Sequence, residues 1–544
     1  MKNLIVFISL IYLFLSCSGG TKKTESQIQK NFKAELNQYF KSNYNDLVKT
    51  EMNRFKLDSL AWLHQFYRNN NYTPIWINDS IELKEEGVQL IDQLSNSKKF
   101  GLDTRLYDIN AIKEYHRKLD RKKSKDNRYD LASALEILLT NDYMKHGKHL
   151  NDLIVNEVDS FTIVPKKDFK INFPEYLQEA IDNDSIIYKL LDLQPKHLQY
   201  RNLQNGLKLF VQKSSLSTKN IEVPNFRMDS LNAIKQAKKA LELHRYLFNQ
   251  YNDSIYLAAL AKFQIEHGLI PDMLIGNKTA EALSLSPYRY YKQIVANLER
   301  WRWKNDWGSK YLYVNIPGFS MQLYNNKIIE REHKIIVGKV ENQTPEMIDS
   351  LEYIIAYPFW HVPRSISINE ILVNAQKDTT YFKRNNYEIL NYSKDKLDPK
   401  SINWKKVNEG NFNYLIRQKG GVSNALGLVK FIFPNKYSIY LHDTPTKYYF
   451  NFESRAYSHG CVRVQHALDL ADHILSADNN KYTLDSIFNY IEKQQEKSML
   501  LKTKIPIHIV YFTANVDSSG NIIFYNDVYK KDDKLIAELS KITL

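Results

Sequence analysis

The sequence predicts a multidomain α+β protein, with a helical N-terminal half and a C-terminal half rich in β-strands. Apolar residues recur at helical spacing between residues 30 and 210. A second, compact helical pattern follows at 240–285, and the period becomes strand-like after residue 297. The length of 544 residues allows three or four domains of roughly 150 residues each.

The N-terminus has the pattern of an export signal. A short basic start precedes an apolar run of about a dozen residues, which is too short to span a membrane comfortably. The run ends at Cys17 in a string that resembles a bacterial lipobox, with Phe14 where Leu is more usual. The resemblance implies a signal peptide at 1–17, an acylated Cys17 and a flexible tether at 18–30. We therefore expect an exported, periplasmic lipoprotein that is anchored to a membrane by its N-terminus.

Charge and cysteine content narrow the class of protein further. The formal net charge of +14 is spread along the chain, which suits an anionic polymer or a lipid surface. No patch interleaves Lys or Arg with aromatic residues, so we do not expect nucleic-acid binding. The chain has two cysteines, and acylation of Cys17 leaves Cys461 as a free thiol in an oxidising compartment. Such a thiol is better explained as a reagent than as half of a disulfide.

The helical region is predicted to be mainly structural. Its apolar stripes are typical of a core, and we find no nucleophile, metal cluster or phosphate loop among residues 31–235. The basic run from Arg117 to Arg128 is predicted to be a solvated loop, because like charges repel one another.

A small helical bundle is predicted at 236–290. Gly268 is placed to end one helix, and Asn277 to cap the next. Between Phe263 and Leu283 the residues occur in the order Phe-Gln, His-Gly-Leu, Asp, Ile-Gly and Thr-x-x-Ala-Leu. This order resembles the peptidoglycan-binding domain of cell-wall enzymes. That resemblance implies peptidoglycan contacts for Phe263, Gln264, Gly268, Leu269, Asp272, Gly276 and Thr279. A purely structural role for this module is the alternative.

The strongest chemical motif surrounds Cys461. The string Ser-His-Gly-Cys-Val-Arg spans Ser458 to Arg463, and fifteen residues separate Ser458 from the earlier His442. A free thiol titrates near ~8.5, so a catalytic cysteine needs a nearby base or a positive field. A bend at Gly460 would bring His459 toward the sulfur and point the Gly460 and Cys461 amides at a substrate carbonyl, as an oxyanion hole requires. A buried, inert thiol is the alternative.

The stretch 442–463 resembles the signature of the L,D-transpeptidase catalytic family. The resemblance extends to five further segments, at 335–339, 344–345, 359–363, 424–427 and 430–435. It implies a β-rich catalytic domain at 297–510 with a lid insertion at 366–420, followed by a C-terminal extension at 511–544. An ordinary surface insertion is the alternative to the lid. Phrases between residues 66 and 141 resemble the scaffold domain of the large, multidomain branch, which we assign to 31–235.

Local geometry is predicted for three segments of the catalytic domain. A hairpin at 321–329 should close at Asn325-Asn326. A strand from Tyr437 to His442 should place Tyr440 and His442 on one polar face. The apolar stripe from Ala467 to Leu475 predicts a helix whose N-terminal field would modestly favour a Cys461 thiolate.

The family resemblance implies a role for each site residue. Cys461 would attack the carbonyl of the diamino acid at position three of a stem tetrapeptide and expel the terminal D-Ala. His459 would take the thiol proton, the Ser458 carbonyl would orient His459, and His442 would complete the pocket or bind substrate. Capture of the thioester by a neighbouring stem gives a 3→3 crosslink. Substrate contacts are assigned to Arg463, Tyr440 and Asn424, and for Arg463 a structural ion pair is the favoured alternative.

Other functions are kept as alternatives. Water as acceptor would give an L,D-carboxypeptidase that trims tetrapeptides. A non-catalytic peptidoglycan-binding lipoprotein and a metal-dependent hydrolase are the remaining classes. We see no four-ligand zinc set, since His466 and His473 are predicted to be solvated helix positions, and we expect no cofactor and no metal. The expected partners are peptidoglycan stem peptides and a membrane, with the protein itself a monomer.

Overall fold

The computed structural model describes residues 25–55, 57, 59–121, 126–152, 171–248, 251–302, 307–517 and 519–541. Cys17 and the predicted signal peptide lie outside the described residues. Of the predicted tether at 18–30, residues 25–30 belong to the first helix, so that part of the prediction is wrong.

The described N-terminal half is helical, as the periodicity predicts. Its helices are α1 (Glu25–Met52), α2 (Leu60–Asn69), α3 (Glu85–Ser95), α4 (Ile109–Arg121), α5 (Asp126–Asn151), α6 (Phe173–Asp182), α7 (Ile186–Asp192), α8 (Leu198–Lys213), α9 (Ser230–Leu243), α10 (Asp253–Glu266), α11 (Asn277–Ser284) and α12 (Pro287–Arg302). Within the described ranges, none of the helices combines the length and apolar character needed to cross a membrane.

The basic run that was predicted to be a loop is helical where it is described. Arg117 lies in α4 and Arg128 in α5. The helix α4 buries Ile112 and Leu119, two positions on the same face, and Glu114 pairs with Lys118 one turn away. Burial of this apolar face outweighs the repulsion among the basic side chains.

The described residues of 1–95, 107–147 and 171–190 form one compact unit. Its interior contains a buried carboxylate, Glu136, which accepts hydrogen bonds from the Tyr67 hydroxyl and from the backbone N–H groups of Ile75 and Trp76. Burial raises the pKa of Glu136 to about 7. These bonds attach the irregular segment at Ile75 and Trp76 to α5. Glu136 therefore stabilises the fold of this unit.

The second compact unit comprises the described residues of 96–106, 148–170 and 191–544. Its strands are β1 (Lys310–Asn315), β2 (Ser320–Asn325), β3 (Ile328–Gly338), β4 (Met347–Ala356), β5 (Trp360–His361), β6 (Tyr387–Leu390), β7 (Lys396–Leu397), β8 (Leu415–Gln418), β9 (Val429–Ile432), β10 (Leu441–His442), β11 (Ala456–Ser458), β12 (Val462–Val464), β13 (Lys497–Val510), β14 (Ala514–Val516) and β15 (Ile522–Phe524). The remaining helices are α13 (Arg364–Ile366), α14 (Val373–Lys377), α15 (Thr380–Arg384), α16 (Ala467–Ala477), α17 (Leu484–Glu492) and α18 (Lys531–Lys541).

A nine-stranded sheet organises this unit, in the order β11-β3-β12-β10-β9-β4-β13-β1-β2. An additional pairing of β2 with β3 closes the sheet on itself. The core between the sheet and α16 contains residues that are entirely buried, such as Phe431, Leu441, Val462 and Leu470. The predicted multidomain α+β class is therefore confirmed, and the predicted helix after the motif is α16.

Two local predictions in this unit need correction. The hairpin turn consists of Asn326 and Lys327, both with positive φ, while Asn325 still pairs within β2. The predicted strand from Tyr437 begins in a turn and is irregular as far as Tyr440, so only Leu441 and His442 form β10. The cause is Asn435, whose side-chain oxygen accepts the backbone N–H groups of the two residues Tyr437 and Ile439.

The insertion between β4 and β9 is an ordered subdomain with its own core. A four-stranded sheet in the order β5-β8-β6-β7 packs with α13 to α15. The residues of this core are Ile371, Leu372, Ala375, Phe382, Ile389, Trp404, Val407, Phe412 and Ile416. Movement of the predicted lid at 366–420 stays a prediction.

The helices α9, α10 and α11 form the predicted bundle. Gly268 ends α10 with a φ of +64°, as expected, but the N-cap of α11 is Gly276 and Asn277 is its first helical residue. Gln264 is buried and donates hydrogen bonds to Asp272, to the Leu274 carbonyl and to Thr279. This network is internal to the bundle.

Four residues assigned to peptidoglycan contact are part of that core. These buried residues are Phe263, Gln264, Leu269 and Thr279. Their predicted contact with a polymer does not fit this burial, because they pack against other side chains of the bundle. Gly268, Asp272 and Gly276 are exposed, so their contact with peptidoglycan stays a prediction.

We predict that Gly338→Ala destabilises the second unit. A Cβ atom at Gly338 would lie 2.0 Å from the Asn342 carbonyl oxygen and 2.8 Å from the Thr344 backbone nitrogen. Overpacking of this kind costs about 1–3 kcal/mol, which should lower the urea midpoint of unfolding. The matched control is Gly276→Ala, where a Cβ meets nothing within 4 Å. Equal midpoints for the two variants would contradict the close approach at Gly338.

Candidate active site

The parallel pairing of β10 with β12 builds the site. Leu441 is level with Val462, and His442 with Arg463. The Val462 N–H donates to the Tyr440 carbonyl, which places Cys461 beside Tyr440. Because side chains alternate along a strand, Cys461 shares one face with His442 and Arg463. The motif residues that are distant in sequence thus meet on one face of the sheet.

The thiol of Cys461 lies in a polar but desolvated setting. The residue is partly exposed, and Sγ lies 3.8 Å from the Ser438 carbonyl. Burial raises the pKa of the Cys461 thiol above its usual range, although hydrogen bonds from Tyr440 and the positive charges of Lys430 and Arg463 act to lower it. The resting thiol is therefore protonated at neutral pH, in contrast to the predicted thiolate, because desolvation exceeds the effect of the nearby cations.

Tyr440 connects the thiol to the insertion subdomain. Its hydroxyl hydrogen-bonds Cys461 and also interacts with the side chain of Trp360 in β5. Lys430 in β9 lies over the Tyr440 ring, 5.4 Å from its centre. The predicted site residue Tyr440 is thus at the sulfur itself, and two residues not singled out as site residues, Trp360 and Lys430, adjoin it.

His442 has the geometry of a neutral base. Its ring is buried, and Nδ1 lies 2.5 Å from the Asp443 carbonyl oxygen. A carbonyl only accepts, so Nδ1 carries the proton and Nε2 is left with a lone pair. Burial lowers the pKa of His442 to about 3, with further lowering from Arg463 and Lys430. The imidazole is therefore uncharged at neutral pH and able to take a proton through Nε2.

His459 does not adopt the predicted arrangement. Its Nε2 lies 2.6 Å from Oε1 of Glu370 in the insertion subdomain. The Ser458 carbonyl, which was predicted to orient His459, accepts the Lys339 N–H at 3.0 Å instead. His459 is thus committed to a carboxylate on another segment, and the structure does not support its predicted role as the base.

The predicted pair of oxyanion donors reduces to one. The Gly460 N–H donates to Ser458 Oγ at 3.1 Å, and this hydroxyl donates to the Cys461 carbonyl at 2.5 Å. Within the described ranges, the backbone N–H of Cys461 makes no hydrogen bond. Gly460 has a φ of +118°, a conformation that requires glycine. The Cys461 amide is therefore the donor available to a developing oxyanion.

The guanidinium of Arg463 has hydrogen-bonding capacity that the described residues do not fill. Its Nη1 donates to Thr446 Oγ1 at 3.3 Å, while its buried Nε has no hydrogen-bond partner within the part of the chain that the structure describes. A buried, unsatisfied guanidinium nitrogen is costly, and a carboxylate is the group that matches it. The favoured structural ion pair is absent within those same residues, which favours the carboxylate alternative.

Asn424 is a structural residue, and its predicted substrate contact is wrong. The side chain is entirely buried. Its amide donates to the carbonyls of Lys419 and Gln418, and its oxygen accepts the Leu426 N–H. All of these bonds stabilise the loop that precedes β9.

Sequence reasoning did not assign Lys430, Trp360 and Glu370 to the site. Lys430 and Trp360 lie within sequence segments that resemble the family, so their place in the site could have been predicted. Glu370 lies in an insertion with weak periodicity, and nothing in its local sequence points to His459.

We predict an unusual pH dependence for alkylation of Cys461. Because burial raises the thiol pKa, the rate with iodoacetamide should rise with a midpoint above that of an unperturbed cysteine. Lys430→Met should raise the midpoint further, since it removes a cation beside the sulfur. Lys436→Met is the control, because Lys436 is exposed and contacts Tyr437 instead. A midpoint near neutral pH would contradict this environment.

The comparisons with known proteins agree with this geometry. The family model for the L,D-transpeptidase catalytic domain matches residues 309–507, and the model for the scaffold domain matches residues 61–207. A Haemophilus influenzae protein named "Putative L,D-transpeptidase" is 32% identical over 234 residues. That alignment covers 42% of this chain and 46% of the relative, so the chain spans about half the length of that protein.

The matched range contains β1 to β12, the motif and both histidines. The β-rich part of the second unit thus contains the cysteine, the two histidines and the arginine of the motif within the matched range. Residues 309–507 therefore match the catalytic domain of the L,D-transpeptidases, and a curated protein with that name is similar over part of the chain.

Proposed function

We propose that this protein is an L,D-transpeptidase that forms 3→3 crosslinks in peptidoglycan through a thioester on Cys461. The observation that carries the proposal is the shared face of Cys461, His442 and Arg463, where β10 pairs with β12 and Cys461 directly precedes β12. A nucleophile, a neutral base and a cation on one face are the groups that acyl transfer between peptides requires.

In the first step the Cys461 sulfur attacks the carbonyl of the position-three residue of a donor stem. A sulfur–carbon bond forms, and the carbon–nitrogen bond to the terminal D-Ala breaks. His442 Nε2 takes the thiol proton and delivers it to the leaving amine. The Cys461 N–H stabilises the oxyanion of the tetrahedral intermediate. In the second step the side-chain amine of an acceptor stem attacks the thioester, and the thiol is restored.

Substrate binding makes the base stronger in this scheme. Arg463 and Lys430 lower the pKa of His442 in the free protein. A stem-peptide carboxylate that pairs with Arg463 offsets this positive charge, which raises the basicity of His442 when the donor is in place. The same pairing offsets a charge that lowers the pKa of Cys461, so it strengthens the base without making the thiol more acidic.

The cellular setting is part of the proposal. The export pattern and Cys17 support a periplasmic lipoprotein, and the net charge of +14 suits an anionic wall polymer. We propose that the protein acts as a monomer on stem peptides, and that the bundle of α9 to α11 is mainly structural.

Product analysis tests the reaction. Muropeptides that carry tetrapeptide stems should yield dimers joined through two position-three residues, together with free D-Ala, as measured by mass spectrometry. Shortened monomers alone would favour the L,D-carboxypeptidase. Cys461→Ser should abolish both products, and an unchanged yield from that variant would contradict a Cys461 thioester.

Histidine variants test the identity of the base. His442→Gln should lower the rate of donor consumption by about 10²- to 10⁴-fold, which is the usual contribution of a general base. His459→Gln should cost less than about ten-fold, since glutamine can still hydrogen-bond Glu370. His473→Gln, which alters a histidine paired with Glu330, is the control. A loss at His459 as large as the loss at His442 would restore His459 as the base.

A further inference from the structure

A buried hydroxyl holds the peptide group that precedes the nucleophile. Thr344 is entirely buried, and its Oγ1 donates to the Gly460 carbonyl at 2.7 Å. The same oxygen accepts the Gly338 N–H at 2.9 Å. The hydroxyl thus acts as both donor and acceptor, and the bond that it donates fixes the carbonyl of the Gly460–Cys461 peptide.

The orientation of this carbonyl determines the direction of the catalytic amide. In a planar trans peptide the C=O and the N–H point in opposite directions, so fixing the Gly460 carbonyl also fixes the Cys461 N–H. This N–H makes no hydrogen bond to the described residues and is the donor assigned above to the oxyanion. Glycine permits many backbone conformations, so the peptide plane at Gly460 would otherwise be free to rotate.

Thr344 is itself held by a residue from the C-terminal segment. The hydroxyl of Tyr529 donates to the Gly338 carbonyl at 2.6 Å and accepts the Thr344 N–H at 3.2 Å. Tyr529 is buried. It therefore bridges Gly338 and Thr344 in the connection between β3 and β4, where a Cβ at Gly338 has no room.

The segment that contains Tyr529 is anchored to the core by buried charges. Asp532 pairs with Arg300 at 2.6 Å, and its second oxygen accepts the Thr513 hydroxyl at 2.7 Å. Lys531 pairs with Glu346 at 3.4 Å in an equally buried position. These contacts stabilise the backbone at Tyr529, and all of the C-terminal partners lie beyond residue 507, where the catalytic-domain match ends.

We propose that Thr344 and Tyr529 are positioning residues that aim the Cys461 N–H at the reacting carbonyl, so that the C-terminal segment from Phe512 onward is a working part of the catalytic centre. The proposal rests on the proposed function only in requiring Cys461 to be the acylated residue. A purely structural role would stabilise the fold without any selective effect on reactions that develop an oxyanion.

Two reactions of the same sulfur separate these possibilities. With p-nitrophenyl acetate, a sulfur–carbon bond forms, the ester carbon–oxygen bond breaks and p-nitrophenolate leaves, so an oxyanion develops on the way. With iodoacetamide, the sulfur displaces iodide from a saturated carbon, and no oxyanion forms. The ratio of the two rates at Cys461 therefore cancels changes in thiol ionisation and access, and reports on the amide donor.

In the full-length protein, Thr344→Val should lower the ratio of the acylation rate to the alkylation rate by about 10- to 100-fold. A misdirected amide should lose part of the stabilisation that a well-placed oxyanion donor provides. Alkylation itself should stay within about two-fold. Thr344→Ser keeps the hydroxyl and should restore the ratio to within about three-fold of the wild type. Tyr529→Phe should cause a smaller fall of about three- to ten-fold. The control is Thr140→Val, which removes an equally buried hydroxyl in the first unit.

A Thr344→Val protein that slows both reactions equally, or neither, would overturn the proposal. Should that variant fail to fold by circular dichroism, an unchanged ratio in Tyr529→Phe would overturn it equally. The outcome is independent of the natural substrate. If the ratio falls as expected in Thr344→Val but the wild type gives no product from muropeptides, the peptidoglycan reaction alone is refuted. If the wild type forms crosslinks but the ratio is unchanged in Thr344→Val, the positioning role alone is refuted.

Discussion

The register between β10 and β12 is the constraint on which the site depends. Two residues of parallel pairing align Leu441 with Val462 and His442 with Arg463. A shift of one residue would move every side chain to the opposite face and bury the thiol of Cys461 in the core. Leu441 and Val462 are entirely buried, so the hydrophobic core stabilises this one register. Packing on one face of the sheet thus determines the chemistry on the other.

The electrostatics of the site reflect a balance between desolvation and charge. Burial raises the pKa of Cys461 and lowers that of His442 to about 3, so both groups are neutral at rest. Lys430 and Arg463 favour the thiolate but disfavour the imidazolium, so on their own they cannot create an ion pair. A ligand carboxylate on Arg463 would raise the basicity of His442 and, by offsetting the same charge, would disfavour the Cys461 thiolate.

Some contacts around Cys461 could be predicted from the local sequence, whereas others depend on how distant segments pack. The candidate nucleophile Cys461 and the placement of His442 beside its segment were predictable from the motif, because the spacing of the motif is specific. The role of His459 did not, because its partner Glu370 is 89 positions away in an insertion whose packing decides where it lies. The strand predicted from Tyr437 failed because an Asn435 side chain competes for backbone N–H groups.

Burial explains the other differences between sequence and structure. Asn424 stood in a phrase typical of the family, yet its three hydrogen bonds to the backbone show that the phrase specifies a loop rather than a contact. The α/β division was predictable, since periodicity depends on local sequence alone. The network from Tyr529 through Thr344 to Gly460 was not, because each hydrogen bond joins segments that are far apart in sequence.

The measurement that tests the central claim most directly is the mass of the protein during turnover with a tetrapeptide donor. Rapid acid quenching, intact mass spectrometry and peptide mapping should reveal a transient adduct equal to the donor less D-Ala, located on Cys461. Turnover at the full rate with no adduct on the Cys461 peptide, or with the adduct on another residue, would contradict the account.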